Sequence, residues 1–466
     1  MKMKKNKIRV ISAVVSAIML ASSASAFAKF DAYNDSDGFT LGHYEAEVNQ
    51  EQRADTEKLY EQRPKNERQF ENLSRGLVAV PGENGTLVSW RFLGTDSNNL
   101  TYNLYCSGEK LNDEPITTTN FFHTGASTNA EYTLKEVENG EETGVEYTTT
   151  AWDKNYIGFK VTEREGYNID DGAVADLDGD GEYEILLRRV PSMDVNTRTS
   201  YPVIEAYKTD GTHMWTIDIG PNEINEVDIN FLAYDMDGDG KAEVIMRSFE
   251  GTTDGKGNTT GDTNGDGITD YSKSESNLAI FKDRQYIVST PEFLSIYDGE
   301  TGEETDRTDL KPSKEPLSDW SYRYSDTGRL TKRASHYLFG LAYLDGVTPS
   351  VVMVRGAWDN VRAAAWHIED GKFKEDWVHN TENKDDVNSI WGACNHNLVT
   401  VDVDFDGKDE ILSGPMAIDH DGSEMYAVKA YDNDGNAQKL AHGDAFDVAK
   451  TDPDFNGYMT WACHET

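Results

Sequence analysis

Three nine-residue stretches share one spacing of acids and glycine, and each is enclosed by apolar runs too short to be helices. Asp176-Leu177-Asp178-Gly179-Asp180-Gly181-Glu182-Tyr183-Glu184 leads into Ile185-Leu186-Leu187. Asp235-Met236-Asp237-Gly238-Asp239-Gly240-Lys241-Ala242-Glu243 leads into Val244-Ile245-Met246. Asp402-Val403-Asp404-Phe405-Asp406-Gly407-Lys408-Asp409-Glu410 leads into Ile411-Leu412. A second apolar run precedes each stretch, so the repeating unit is strand, acidic loop, strand. The first two copies start 59 residues apart and the third starts 167 further on, close to three such intervals. Blades of a β-propeller recur every 40–50 residues or somewhat more, and the region lacks extended helical periodicity. An all-β propeller is the expected fold over 161–466.

Acids at positions 1, 3 and 5 of a tight loop converge on one centre, and glycine at position 6 allows the turn. Hard oxygen donors in that number suit Ca²⁺. The closing acid stands at position 9, so the loop returns straight into a strand. The expected ligands are Asp176, Asp178, Asp180 and Glu184; Asp235, Asp237, Asp239 and Glu243; Asp402, Asp404, Asp406 and Glu410. A fourth loop of the same form, Asp262, Asn264, Asp266 and Asp270, lies in a glycine-rich insertion and is read as a calcium-ordered surface loop. The metal-free alternative, a set of Asp-Gly hairpin turns, must leave several carboxylates crowded together without a counter-charge.

The chain has 44 Lys and Arg against 84 Asp and Glu, a formal charge of −40. Such a charge repels nucleic acid and anionic membranes, and neither is an expected partner. Lys2, Lys4, Lys5, Lys7 and Arg9, followed by apolar Val10–Ala21 and small-residue sites near Ala26 and Ala28, read as a secretory leader over 1–28. The alternative is an uncleaved anchor, but this run falls short of the roughly 20 residues a span needs. Export to the extracellular medium as a monomer is the expectation. Residues 29–68 read mostly as a charged linker, with a short helix conceivable from Asn49 to Tyr60. Residues 69–160, with short β-branched and aromatic runs between turns, read as a β-sandwich somewhat like a fibronectin type III domain. Three cysteines leave room for one disulfide, with Cys394 and Cys463 the favoured pair.

Several stretches resemble family 11 of the rhamnogalacturonan lyases. They are Arg68–Val80, Val88–Asp96, Phe339–Gly346, Val354-Arg355-Gly356, Asn395-His396-Asn397-Leu398 and His442-Gly443-Asp444-Ala445. The resemblance covers about residues 66–466. It implies an eight-bladed propeller with structural calcium that cleaves the rhamnose–galacturonate backbone of pectin, rhamnogalacturonan I, by β-elimination. It also implies that His396, His442, Asp444 and Glu465 form a calcium site facing the central cleft, and that Asp170, Arg188 and Arg189 line the sugar path. Two departures stand out. The family's aspartate after the first acidic loop is Val190 here, and its asparagine before that loop is Asp170. The family also continues past the segment matching Cys463-His464-Glu465, whereas this sequence stops at Thr466. The resemblance puts the catalytic residues beyond Thr466, so a fragment of a longer propeller is the expectation and those residues are not placed. The competing readings are a noncatalytic propeller that binds cell-wall polysaccharide, and a glycoside hydrolase with an acid/base carboxylate pair.

Overall fold

The computed structural model describes residues 14–17, 29–34, 40–45, 50–126, 129–192, 200–223, 230–282, 284–320, 325–356, 358, 360–381, 384–431, 436–440 and 442–464. Four antiparallel four-stranded sheets follow one another from residue 167 to 427. Each runs its strands in chain order, and a hairpin links every neighbouring pair in the first and third. The first comprises Tyr167–Ala175, Glu184–Pro191, Val203–Tyr207 and His213–Asp218. The second comprises Phe231–Tyr234, Glu243–Phe249, Glu292–Tyr297 and Glu304–Asp309. The third comprises Tyr337–Ala342, Ser350–Arg355, Arg362–Glu369 and Lys372–Asn380. The fourth comprises Val399–Val401, Glu410–Ser413, Met416–Ile418 and Glu424–Ala427.

Stacking explains why the middle strands are apolar without alternation. In Ser350–Arg355, Val351 and Met353 enter the core against the second sheet, while Val352 and Val354 enter the core against the fourth. Successive side chains point to opposite faces, and a strand covered on both sides must be apolar throughout. The same split sends Val244 and Met246 toward the first sheet and Ile245 toward the third. The last core joins the fourth sheet to the hairpin Gly443–Ala449 and Met459–His464 through Leu412, Ala417 and Phe446. Among the described residues no sheet closes on itself.

Ahead of these sheets, residues 78–150 form a three-stranded and a four-stranded sheet around one core of Ala79, Val88, Trp90, Tyr102, Leu104, Tyr132 and Leu134. Arg75, 3% exposed, ties into this unit by ion pairs to Asp96 and Glu136. Residues expected to be mostly linker instead hold a hairpin, Lys29–Asn34 with Thr40–Glu45, and helix α1, Gln50–Gln62. Docking supplies what the weakly amphipathic α1 lacks. Glu57 accepts from the backbone N–H and side-chain amide of Asn456 at 2.8 and 2.7 Å, and Arg53 pairs with Asp452 at 2.8 Å.

The chain then crosses the tips of the hairpin loops one after another. Asn66 donates to the Gly407 carbonyl (2.9 Å), Gln69 N–H to Val347 O (2.9 Å), Gln69 Nε2 to Met236 O (3.3 Å) and Ser74 N–H to Gly181 O (3.1 Å). Arg68 grips Asp409 with both terminal nitrogens, at 2.8 and 3.2 Å, and its guanidinium lies over Tyr343. Charge-assisted bidentate pairs of this kind are among the stronger hydrogen bonds. Arg68→Ala should therefore cost about 1–3 kcal/mol and speed proteolysis between residues 64 and 76; an unchanged cleavage rate would show the crossing segment is held otherwise.

No disulfide forms among the described residues, so the one bridge the sequence left room for, Cys394–Cys463, is not made. Cys394 is buried in the core, its thiol within 3.3 Å of the Asn395 carbonyl and of Ser413 Oγ, and burial pushes that thiol up to about 12. Cys463 is exposed on the terminal hairpin. No described helix is long and apolar enough to cross a membrane. The expected leader lies mostly outside the described residues.

Candidate functional site

The three acidic loops fold alike, atom by atom. The first aspartate accepts the N–H of the position-6 glycine: Gly181 to Asp176 (2.8 Å), Gly240 to Asp235 (2.9 Å), Gly407 to Asp402 (3.0 Å). Those glycines have φ of 88°, 93° and 94°, the left-handed region a Cβ disfavours. The ninth-position glutamate reaches back to the N–H at position 2: Leu177 to Glu184 (2.8 Å), Met236 to Glu243 (2.9 Å), Val403 to Glu410 (2.7 Å). Phe405 takes a glycine's place at position 4 with φ 66°, and its ring is held against Tyr60 and Tyr458.

These contacts turn the remaining oxygens inward. Single oxygens of Asp176, Asp178 and Asp180 come within 4.8 Å of one another, as do those of Asp235, Asp237 and Asp239, and of Asp402, Asp404 and Glu410. Asp178 Oδ1, Asp402 Oδ1 and Glu410 Oε1 are buried and have no hydrogen-bond partner among the described residues. Burial and the neighbouring aspartates push the Glu243 carboxyl up to about 8, Glu410 to about 9 and Asp402 to about 6. Buried carboxylate oxygens lacking donors and facing one another are the pattern a bound cation resolves, so the residues fit a metal ion. In the first loop Lys208 also reaches in, pairing with Asp178 and standing 3.6 Å from Glu184. Glu71 of the crossing segment feels Asp235 and Asp176, and burial with those charges raises it to about 7.

The fourth loop turns about its first aspartate in the same way. Asp262 accepts Gly265 and Gly267 N–H, but Asp266 is taken by the Tyr271 hydroxyl and the Asn264 amide. Asp270 turns away to Ser272 and Lys273. Asp270 also caps the short 3₁₀ turn Tyr271–Lys273 that follows the loop.

At the start of the strands Val399–Val401 and Gly443–Ala449, His396, His442 and Asp444 bring ligand atoms within 4.8 Å of one another. Backbone wiring sets this arrangement. Buried Asn395 accepts Gly443 N–H (2.8 Å) and donates to the Ala445 carbonyl (3.1 Å), pinning the segment before the fourth sheet to the terminal hairpin. His442 Nδ1 lies 2.6 Å from the Cys394 carbonyl. A carbonyl only accepts, so Nδ1 carries a proton, and in the neutral ring Nε2 is the nitrogen with the lone pair. Burial, then the nearby His336 and His442, bring His396 down to about 4, and it is uncharged at neutral pH. Glu465, the fourth expected ligand, lies outside the described residues. So does Thr466, past which the resemblance sets the catalytic groups, and the expectation about them has no described residue to bear on it.

Two rings that sequence reasoning missed complete this centre. Trp358 stands 4.7 Å from His442 and 5.3 Å from His396, and His336 stands 5.1 Å from His396, ring centre to ring centre. A lone tryptophan just past a strand, and a histidine ending a helix, carry no motif. Only tertiary contact reveals them.

Of the expected sugar-contacting residues, Asp170 and Arg188 form an ion pair with each other. Arg189, on the opposite face of the strand, is 4% exposed and donates to Glu205 (3.0 Å) and the Thr162 carbonyl (2.6 Å). The structure thus commits Arg189 to the protein interior. The rest of the altered strand, at Met193, lies outside the described residues.

Residues 158–466 match the family described as rhamnogalacturonan lyase family 11, C-terminal domain, and residues 68–152 match the rhamnogalacturonan I lyases beta-sheet domain. Two similar proteins come from Bacillus subtilis (strain 168). Rhamnogalacturonan endolyase YesW is 37% identical over 413 residues, covering 85% of this chain and 62% of its own. Rhamnogalacturonan exolyase YesX is 37% identical over 415 residues, covering 85% and 63%. Among solved structures, exotype rhamnogalacturonan lyase YesX superposes with a TM-score of 0.71 at 36% identity, over 86% of this chain and 64% of that one. A rhamnogalacturonan lyase of Bacillus licheniformis gives 0.70 at 36% identity, over 86% and 66%. The chain spans less than two thirds of the length of the curated relatives it matches.

Proposed function

Given that the chain belongs to rhamnogalacturonan lyase family 11, we propose that it acts on rhamnogalacturonan I as a secreted, calcium-dependent polysaccharide lyase. The observation that carries the reading is the convergence of His396, His442 and Asp444 within the segment that matches the family. The stacked sheets are read as successive blades of a propeller, with this centre at one end and the acidic loops at the other. Calcium is the ion assigned to the three loops, because the acids of each supply hard carboxylate oxygens; at the third, His420 also stands beside Asp406 and Glu410.

β-Elimination at galacturonate takes a proton from C5 and expels the glycosidic oxygen from C4. His442 Nε2, His396 and Asp444 would hold a cation, and such an ion, when bound, neutralises the uronate carboxylate and so acidifies the neighbouring C–H. The chain's own contribution is positional. The Asn395 hydrogen bonds and the Cys394 carbonyl fix where the imidazoles stand, and the neutral state of His396 leaves one ring nitrogen with a lone pair for the cation.

The test is absorbance at 235 nm from the unsaturated uronate product, with the protein, rhamnogalacturonan I and Ca²⁺, before and after chelation. Growth of that signal, lost with His442→Ala, is the expected result. Binding to the polymer with no signal would instead identify a noncatalytic cell-wall-binding module, a reading that the Asp170–Arg188 pair and Val190 favour. New reducing ends without the signal would identify a hydrolase.

A further inference from the structure

We propose that Asp406, Glu410 and His420 form a further cation site beside the third acidic loop, one that takes a transition metal of the zinc or cobalt kind. The three loops share a spelling but group their acids differently. In the first two, positions 1, 3 and 5 stand together: Asp176 with Asp178 and Asp180, and Asp235 with Asp237 and Asp239. In the third, Asp402 and Asp404 stand with Glu410, and Asp406 stands with Glu410 and His420. Within each of these sets the ligand atoms lie no more than 4.8 Å apart. Glu410 belongs to both, and an ionised carboxylate has about four lone-pair directions to share.

His420 comes from outside the loop. It sits in the tight turn between Met416–Ile418 and Glu424–Ala427, where Asp419 N–H donates to Ser423 O (2.8 Å) and Gly422 N–H to Asp419 O (2.9 Å). Trp377 of the third sheet holds that turn. Its Nε1 donates to the His420 carbonyl at 2.9 Å, and a Cβ on Gly422, whose φ is 86°, would stand 2.7 Å from the indole. His420 Nδ1 lies 2.7 Å from Asp419 Oδ1 and 3.6 Å from Asp406 Oδ2, yet neither contact is directed as a hydrogen bond, and this buried nitrogen has no such partner among the described residues. Glu410 is fully buried. Its Oε2 takes Val403 N–H at 2.7 Å, and its Oε1 has no hydrogen-bond partner among the described residues. A buried ring nitrogen and a buried carboxylate oxygen in one cluster, both lacking donors, are what a cation resolves. The nitrogen decides which cation: imidazole suits zinc and its neighbours, whereas Ca²⁺ takes oxygen. Lys408 Nζ, 2.9 Å from His420 Nε2, is the competitor. An ammonium only donates, so it keeps the lone pair at Nε2. A metal on Nδ1 must move the ring proton to Nε2 and turn Lys408 away.

The test titrates the full chain, kept in excess Ca²⁺, with Zn²⁺ and separately with Co²⁺ by calorimetry, and counts bound metal by mass spectrometry. His420→Ala should lose one transition ion per chain, or weaken it at least tenfold, because losing even an outer partner of a ligand costs about 10–100-fold. Its Ca²⁺ content should stay as in the native chain. His442→Ala, which breaks the other imidazole set, should leave this ion in place. Lys408→Ala should bind the ion more tightly than the native chain, since nothing then holds Nε2. Equal uptake at equal affinity by the native and His420→Ala chains overturns the site and makes the Lys408 ammonium the permanent counter-charge of the cluster. Melting temperatures show whether each variant is folded, and if His420→Ala is not, His420→Gln must show the loss instead. None of these readouts depends on cleavage, so a failed lyase assay leaves the site standing and a failed titration leaves the lyase reading standing.

Discussion

Removing divalent ions with a chelator at pH 8 should lower the melting temperature by on the order of 10–20 °C. Each loop filled at a thousandfold excess over its Kd stabilises by about 4 kcal/mol, and about 300 residues unfold with roughly 0.6 kcal/mol per degree. The effect should also depend on pH in a definite direction. In the ion-free fold, Glu243 and Glu410 hold their protons to about 8 and 9, well above the unfolded value of 4.5. A raised folded value gives stability that is present below 4.5 and lost as pH climbs through the folded value. The stripped protein therefore weakens from pH 5 to 9, whereas the loaded protein, whose carboxylates are already ionised, does not. Melting curves of the two forms should diverge across that window. Superimposable curves, together with no metal in the isolated protein, would remove the cation role of the loops.

Glu292→Ala should destabilise the fold by about 3–5 kcal/mol, the usual result of leaving buried charge uncompensated. Glu292 sits among three buried cations: Arg355 at 3.0 Å, Arg247 at 3.2 Å and Lys314 at 3.8 Å. The side chain of Arg355 is fully buried, and its Nε and Nη2 have no hydrogen-bond partner among the described residues. Arg247 also pairs with Glu223 and donates to the Ser335 carbonyl at the end of helix α2, Thr327–Ser335. Removing Glu292 strands positive charge between the second and third sheets and loosens the support of that helix. Although burial opposes ionisation, the surrounding cations win and hold its carboxyl at about 2. This depressed value means stability that is present above 4.5 and lost as pH falls through about 2. The gap between native and variant melting temperatures should be full at pH 6 and shrink toward pH 2. A gap below about 1 kcal/mol at pH 6 would show that the cluster is neutralised some other way.

The acidic loops were legible because their chemistry is local. Position 6 must tolerate a positive φ, position 9 must reach the N–H at position 2, and both demands fall within nine residues. The fourth loop has the same spelling, but there Tyr271 and Asn264 hydrogen-bond Asp266 and a following turn takes Asp270 as its cap. Spacing states which oxygens are near along the chain, not what else wants them. Arg189 shows the same limit: the resemblance set it on the sugar path, and in the structure it is buried and donates to Glu205 on the neighbouring strand.

By itself, the sequence determined an all-β chain, three cation-type hairpin loops, an overwhelming negative charge and membership of a lyase family. These follow from short-range backbone geometry, composition and motif. Tertiary structure alone decided that His396 and His442, 46 residues apart, meet through Asn395, and that Lys332, Trp358 and His336 join them. It also decided that residues 64–76 bind the loop tips together. Such meetings depend on how sheets stack and where loops end, and the energy that selects them is spread over cores far from the residues that meet.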